Sequence, residues 1–286
     1  MNIKNVARNA AAAEIFSVMA SEEKSKEAID GIRSMSDTEL DFMGKLSNVP
    51  DSQLSIFRSV MRGEENSFIE KLREFEEELK TGDLLLVTGK SPLSKALGAS
   101  HKLLYPHAKS SHVAIVHADF ICVDAMLDTG VSNRLVSEVL ADGENHWRVI
   151  RFEGLNNIHV EPLQQRCAHY IAQPYKITLK RKRGKDYSYC SELARKVFED
   201  CDIADTEIPL HAVVKPCDFD RIADSKKGWT DVTEKVTPYI DFCIEFAPLL
   251  KVVSKLFIDG LKLNRARYEQ RRESLKMIEA AERKGK

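Results

Sequence analysis

Five short apolar runs crowd into residues 84–152: "LLLV" from Leu84, "HVAIV" from His112, "FICVD" from Phe120, "GVSNRLV" from Gly130 and "HWRVIRF" from His146. Each has strand length, and turn residues such as Thr81-Gly82-Asp83 bound them. A chain patterned this way folds back on itself into an antiparallel sheet. Two stretches with helical spacing follow, "EPLQQRCAHYIA" (161–172) and "CSELARKVFEDC" (190–201). Together they predict an α+β domain, with the helices packed to one side of the sheet.

The flanks have a different texture. Residues 1–80 are rich in Ala, Glu, Lys, Ser and Met and read as helices. "SMSDTELDFMGKLSNV" offers Ser36 or Asp37 as a cap before Leu40, Met43 and Leu46. "VPDSQLSIFRSVMRG" repeats the plan with Leu54, Phe57 and Met61, which suggests a helical hairpin. "NSFIEKLREFEEELK" predicts one helix with Phe68, Leu72, Phe75 and Leu79 on a single face. After Gly228 the chain returns to helix and ends in a charged, net-basic tail. Three regions are therefore expected: a helical 1–80, a mixed 81–228 and a helical 229–286.

Composition narrows the function. A chain of 286 residues, 43% hydrophobic and 30% charged, suits a soluble globular protein. Its net charge of −1 gives no general attraction to nucleic acid, and none is expected as a partner. The six cysteines form no CxxC pair or Cys/His cluster at zinc spacing, so no metal or other cofactor is implied. Arg8, Asn9 and Glu14 interrupt any signal-like apolar run, and no uncharged apolar stretch reaches about 18 residues. A cytoplasmic location is the default expectation, with delivery by a specialised secretion system as the alternative. "FCIEFAPLLKVVSKLFIDGL", with Glu245, Lys251, Lys255 and Asp259, reads as an amphipathic helix for core or partner packing, with a membrane surface role as the competing reading.

The heptapeptide "YSYCSEL" (187–193) carries the strongest chemical hint. Leu193, Ala194, Val197 and Phe198 have helical spacing, Ser188 is a candidate N-cap, and Cys190 then falls in the first turn. The helix dipole and unpaired N–H groups there favour thiolate over thiol. The competing reading is a buried structural cysteine. A nucleophile needs a base and an orienting group. His112 opens one apolar strand, and Asp124 interrupts the next, where a lone buried carboxylate would be costly. A two-residue turn at Ala118-Asp119 would pair 113 with 124 and face His112 and Asp124 oppositely. A three-residue loop would pair 112 with 124 and bring them together. A catalytic pair thus requires the odd loop or an equivalent bulge. His117 has the opposite parity and should face away. His101 and His107 flank a predicted loop, "KLLYPHAKSS", and could line the mouth of a site. The basic turn "LKRKRGK", with Lys182 and Arg183, is either solvated or a collector of anionic substrate.

In chain order, "TGDLLLVTGKSPLSKALG", "SSHVAIV", "CVDAMLDTGVSNRLVSEVL", "YSYCSELARKVF" and "VVKPCDFDRIADS" resemble the circularly permuted papain-like hydrolases of the NlpC superfamily. The YiiX branch is the most similar, and its relatives include the lecithin:retinol acyltransferase group. The resemblance spans roughly residues 81–225. In ordinary papain-like enzymes the cysteine precedes the histidine; in the permuted branch the histidine strand comes first, as here. The resemblance implies a permuted papain-like core between helical extensions. It implies Cys190 as nucleophile, His112 as general base and Asp124 at a polar third position that is commonly Glu in that branch. Tyr187, Tyr189 and Ser191 become candidates for oxyanion or substrate contacts, with core packing the competing role for the tyrosines. The implied chemistry is cleavage or transfer of an acyl group, from an amide or ester, through a thioester. A lipid-linked or otherwise acylated substrate, with contact to a membrane surface, is one expectation. A peptide or isopeptide amidase, such as a cell-wall peptidase, is another. The third is a non-catalytic interaction protein whose N- or C-terminal helices bind a protein partner.

Overall fold

The computed structural model describes residues 21–75, 78–177, 186–210 and 213–255, apart from the side chain of Leu93. Lys182 and Arg183, the first twenty residues and the tail after 255 lie outside the described residues. Two compact units divide the chain: residues 1–76 with 246–286, and residues 77–245.

The described part of the first unit is helical. Ser21 caps α1 (Glu22–Arg33), and Ser36 caps α2 (Asp37–Leu46) in a reciprocal box with Glu39. A 3-10 turn (Asp51–Gln53) leads into α3 (Leu54–Arg62), and Asn66 caps α4 (Ser67–Glu74). Leu40, Leu54, Phe57 and Phe68 are buried. Gly44 allows close packing, since an added Cβ would stand 2.7 Å from Leu54 Cδ2. The long helix expected over "NSFIEKLREFEEELK" stops at Glu74. Leu79 is instead buried within the second unit, so it cannot share a helix face with Phe68.

The second unit is built on a six-stranded antiparallel sheet in the order β4-β3-β2-β1-β5-β6. The strands are β1 (Leu84–Gly89), β2 (His112–Ala118), β3 (Ile121–Met126), β4 (Gly130–Leu135), β5 (Gly143–Phe152) and β6 (Trp229–Asp231). Leu84, Leu86, Val113, Ile115 and Val123 pack with Leu163 and Cys167 of α7 (Asn157–Tyr170). Leu193, Ala194 and Val197 of α8 (Cys190–Asp200) complete that layer. The alternate residues Leu85, Val87, Ala114, Val116 and Cys122 are buried as well. They face the layer formed by α6 (Val136–Ala141) and α10 (Thr233–Glu245), where Cys243 lies near Cys122. The expectation of helices on one side is thereby corrected. Uninterrupted apolar runs such as "LLLV" mark strands covered on both faces, whereas a half-exposed strand would alternate.

Other boundaries also move. α5 (Pro92–Leu104) starts with Ser91 as cap and Pro92 in its first turn, and its end absorbs part of the loop expected at 102–111. β6 pairs with β5, α10 packs against β5, and the compact unit runs from 77 to Glu245. Three residues are too few to show a strand pattern. Trp229 anchors them from the core, with ring centroids 5.2 Å from Phe152 and 5.7 Å from Phe198. α9 (Pro216–Ser225) precedes them. At the other end, Gly82 takes φ +92° against Leu155, and fully buried Asp83 accepts from Arg151 Nε at 2.8 Å and Nη2 at 2.6 Å. No helix among the described residues is long and apolar enough to cross a membrane.

Candidate active site

Cys190 is the first residue of α8, after an extended Tyr189 (φ −114°, ψ 169°). Ser188 is not the cap. Its hydroxyl donates to Gln173 Oε1 at 2.8 Å and accepts from Lys196 Nζ at 3.0 Å, while Lys196 also donates to the Tyr187 carbonyl at 2.6 Å. The cap position falls to Tyr189, which makes no side-chain capping bond. The first-turn N–H groups of α8 therefore have neither an intrahelical acceptor nor a capping side chain. The Cys190 side chain is 6% exposed, with Sγ 3.7 Å from Ser191 Oγ.

The β2–β3 hairpin follows neither simple register. Ala118 pairs with Ile121, but Val116 pairs with Cys122 and Ile115 with Val123, so one extra residue is accommodated at His117. That bulge changes the parity and puts His112 and Asp124 on one face, offset diagonally. His112 Nε2 lies 2.9 Å from Asp124 Oδ2. His117 instead meets Asn133 Oδ1 at 3.0 Å. The paired ladder ends at Ile115 and Val123. Beyond it, the His112 ring and the Val113 amide lie near enough to the Cys190 sulfur to favour its thiolate form. Because Asp124 occupies Nε2, Nδ1 is the ring nitrogen left for the sulfur.

Burial opposes charge on both partners, yet each stabilises the other. For Cys190, desolvation is outweighed by the hydrogen bond and charge of His112, helped by Val113 and Ser191, and the thiol is held below its ordinary value. For His112, desolvation is outweighed by Asp124 and Cys190, and the imidazole is pushed up to about 10. Both shifts favour a thiolate beside an imidazolium. The other described thiols with a resolved shift, at Cys122, Cys167, Cys201, Cys217 and Cys243, are all pushed up by burial.

Sequence reasoning missed three contributors. Arg134, on β4, donates to Asp124 Oδ2 at 3.1 Å. Its signal was strand parity: Cys122 and Arg134 are paired, and Asp124 lies two residues along. Asp220, fully buried on α9, accepts from the Lys109 and Ser110 amides at 3.0 and 2.9 Å and from Ser110 Oγ at 2.8 Å. It thereby clamps the segment that enters β2 just before His112. The phenol of Tyr175 is pushed up to about 12, by burial first and then by the nearby charge of Cys190. Tyr175 is bridged to Ser188, two residues before the thiol.

The remaining candidates fare differently. Ser191 is fully buried against the sulfur. The Tyr187 ring lies under Lys176 and Lys196, at 5.3 and 5.9 Å. The Tyr189 hydroxyl is buried at the Val214 backbone, so packing accounts for it. His107 lines a concavity of about 810 Å³ with Tyr105, His146 and Trp147. Among the described residues no group of three or more His, Cys, Asp or Glu could hold a metal ion.

An antiparallel sheet that presents a histidine on a strand, and later in the chain a cysteine at a helix N-terminus, defines a permuted papain-like protein. The chain belongs to the permuted papain-like amidase enzymes of the YaeF/YiiX, C92 family, whose model matches residues 78–237. Among solved structures, it is similar to the metalloprotein YiiX of Escherichia coli O157:H7. That match has 23% identity and a TM-score of 0.41 and covers 54% of this chain and 97% of that one. No curated protein gives a significant match.

Proposed function

We propose that this is a thiol amidase in which Cys190 is the nucleophile, His112 the proton carrier and Asp124 the orienting acid. The observation supporting this most directly is the His112 Nε2–Asp124 Oδ2 hydrogen bond of 2.9 Å, with Cys190 at the uncapped start of α8 and its thiol held low chiefly by His112 against the cost of burial. The thiolate adds to the acyl carbon. The oxyanion so formed takes hydrogen bonds from first-turn N–H groups of α8, each worth about 3 kcal/mol of barrier. His112 gives its Nδ1 proton to the leaving amine as the C–N bond breaks, which leaves an acyl thioester. Neutral His112 then takes a proton from water as the water oxygen adds to the thioester carbon. Departure of the thiolate releases the acid and restores the ion pair. Asp124 holds the ring through Nε2 in both protonation states.

The favoured substrate is lipid-linked or otherwise acylated. The basic residues at 179–185 support this reading. A peptide or isopeptide substrate is the second reading, favoured by the amidase description of the family. Incubation with acylated lipids and with muropeptides separates the two. Released fatty acid or free amine from lipid supports the first; shortened stem peptides support the second. Cys190→Ala should lower either activity by more than about a thousandfold. Unchanged hydrolysis in that variant would remove the proposal.

A further inference from the structure

Asp124 is fully buried, and its Oδ2 faces two cations. His112 Nε2 stands at 2.9 Å and Arg134 Nη1 at 3.1 Å. The guanidinium is itself fixed: Nη2 donates to the Glu138 carbonyl at 2.7 Å and to Asp142 Oδ2 at 2.5 Å. Asp142 is mostly solvated, at 58% side-chain exposure, so it does little to neutralise the interior. Counted from the buried side, the group consists of the Cys190 thiolate, the His112 imidazolium, the Asp124 carboxylate and the Arg134 guanidinium. That is two anions and two cations.

We infer that Arg134 is a positioning residue for this site: it holds the Asp124 carboxylate in place and completes a charge-neutral set in which the sulfur can remain ionised. Without it, one imidazolium would have to balance two buried anions, and burial of a net charge is costly. The least expensive relief is for the sulfur to take up a proton. A second consequence concerns the catalytic cycle. When His112 has given its proton away, Arg134 is the cation that still faces Asp124, so the acid does not become an unpaired buried charge. Near the set, the buried Glu192–Arg195 ion pair of α8 is internally balanced, and the other titratable groups are the Cys122 thiol on β3 and the phenols of Tyr175 and Tyr189. Burial pushes all three up, so they stay neutral around pH 7. The Glu138 carboxylate is engaged with the Leu135 amide at 3.1 Å.

The inference rests on the thiolate–imidazolium reading, and one experiment tests the two apart. The rate of alkylation by iodoacetamide is followed against pH, with the Cys190 peptide quantified by mass spectrometry, in the full-length protein and in its Arg134→Met and Arg134→Lys variants. Circular dichroism establishes that each variant is folded. The wild type should show an acid-shifted midpoint. Arg134→Met should move that midpoint upward by at least about one pH unit, a tenfold loss of thiolate at lower pH. Arg134→Lys, which keeps the charge, should recover most of the shift. A wild-type midpoint at the ordinary thiol value would sink the ion-pair reading itself. An acid-shifted wild type with an unmoved midpoint in a folded Arg134→Met protein would overturn the role of Arg134 alone. So would a Lys variant that behaves like Met. If Arg134→Met does not fold, Arg134→Lys and Arg134→Gln are compared at the same readout, and equal midpoints overturn the inference.

Discussion

At Cys190 and His112 two forces compete, and the hydrogen bonds win. Each group is buried enough to prefer neutrality, but the proton they share is better placed on the ring. The pH dependence follows with a definite sign. Below the depressed thiol value the sulfur is protonated and attack fails. Above about 10 His112 loses the proton it must give to the leaving amine. The acid limb of hydrolysis should therefore lie below the ordinary thiol value and the alkaline limb near pH 10, as read from kcat/KM profiles. In His112→Ala the burial remains and its compensation is gone. The alkylation midpoint of Cys190 should then rise above the ordinary thiol value, and an unmoved midpoint would remove His112 as the activating group.

Elements matter here as holders of backbone. The α8 terminus lacks a side-chain cap, and Lys196 ties down the strap before it by grasping the Tyr187 carbonyl and the Ser188 hydroxyl. The start of β2 is held in the same way by Asp220 of α9, from more than a hundred residues away. Asp220→Ala would leave two amides and a hydroxyl without their acceptor. The expected loss is about 3 kcal/mol in urea unfolding, with a fall in kcat larger than any change in KM. A variant of full stability and normal kcat would show that His112 needs no such clamp.

On the scale of the molecule, residues 77–245 form a unit whose internal contacts include the whole site. A fragment of those residues should fold cooperatively and retain acid-shifted alkylation of Cys190, as checked by calorimetry and labelling. Within that unit Trp229 ties the last strand to Phe152 and Phe198. Trp229→Ala should cost about 3–5 kcal/mol of stability, measured by denaturant titration, while the labelling midpoint stays in place. The β6 strand contributes to the sheet by pairing with β5.

Apolar runs, cap residues and the chain order of His112 and Cys190 were legible in the sequence because they are local. Neighbouring side chains set strand and helix preference within a few positions, which is why β1 to β5 and α8 fall close to where the pattern puts them. The parity of His112 and Asp124 was legible only as a condition, since a single bulged residue at His117 decides it, and a bulge has no local signature strong enough to read. The second covered face of the sheet, the short β6, and the contributions of Arg134, Tyr175 and Asp220 came only with the tertiary structure. Each depends on segments distant in the chain meeting in space, where burial makes one hydrogen bond or one charge worth more than any intrinsic preference.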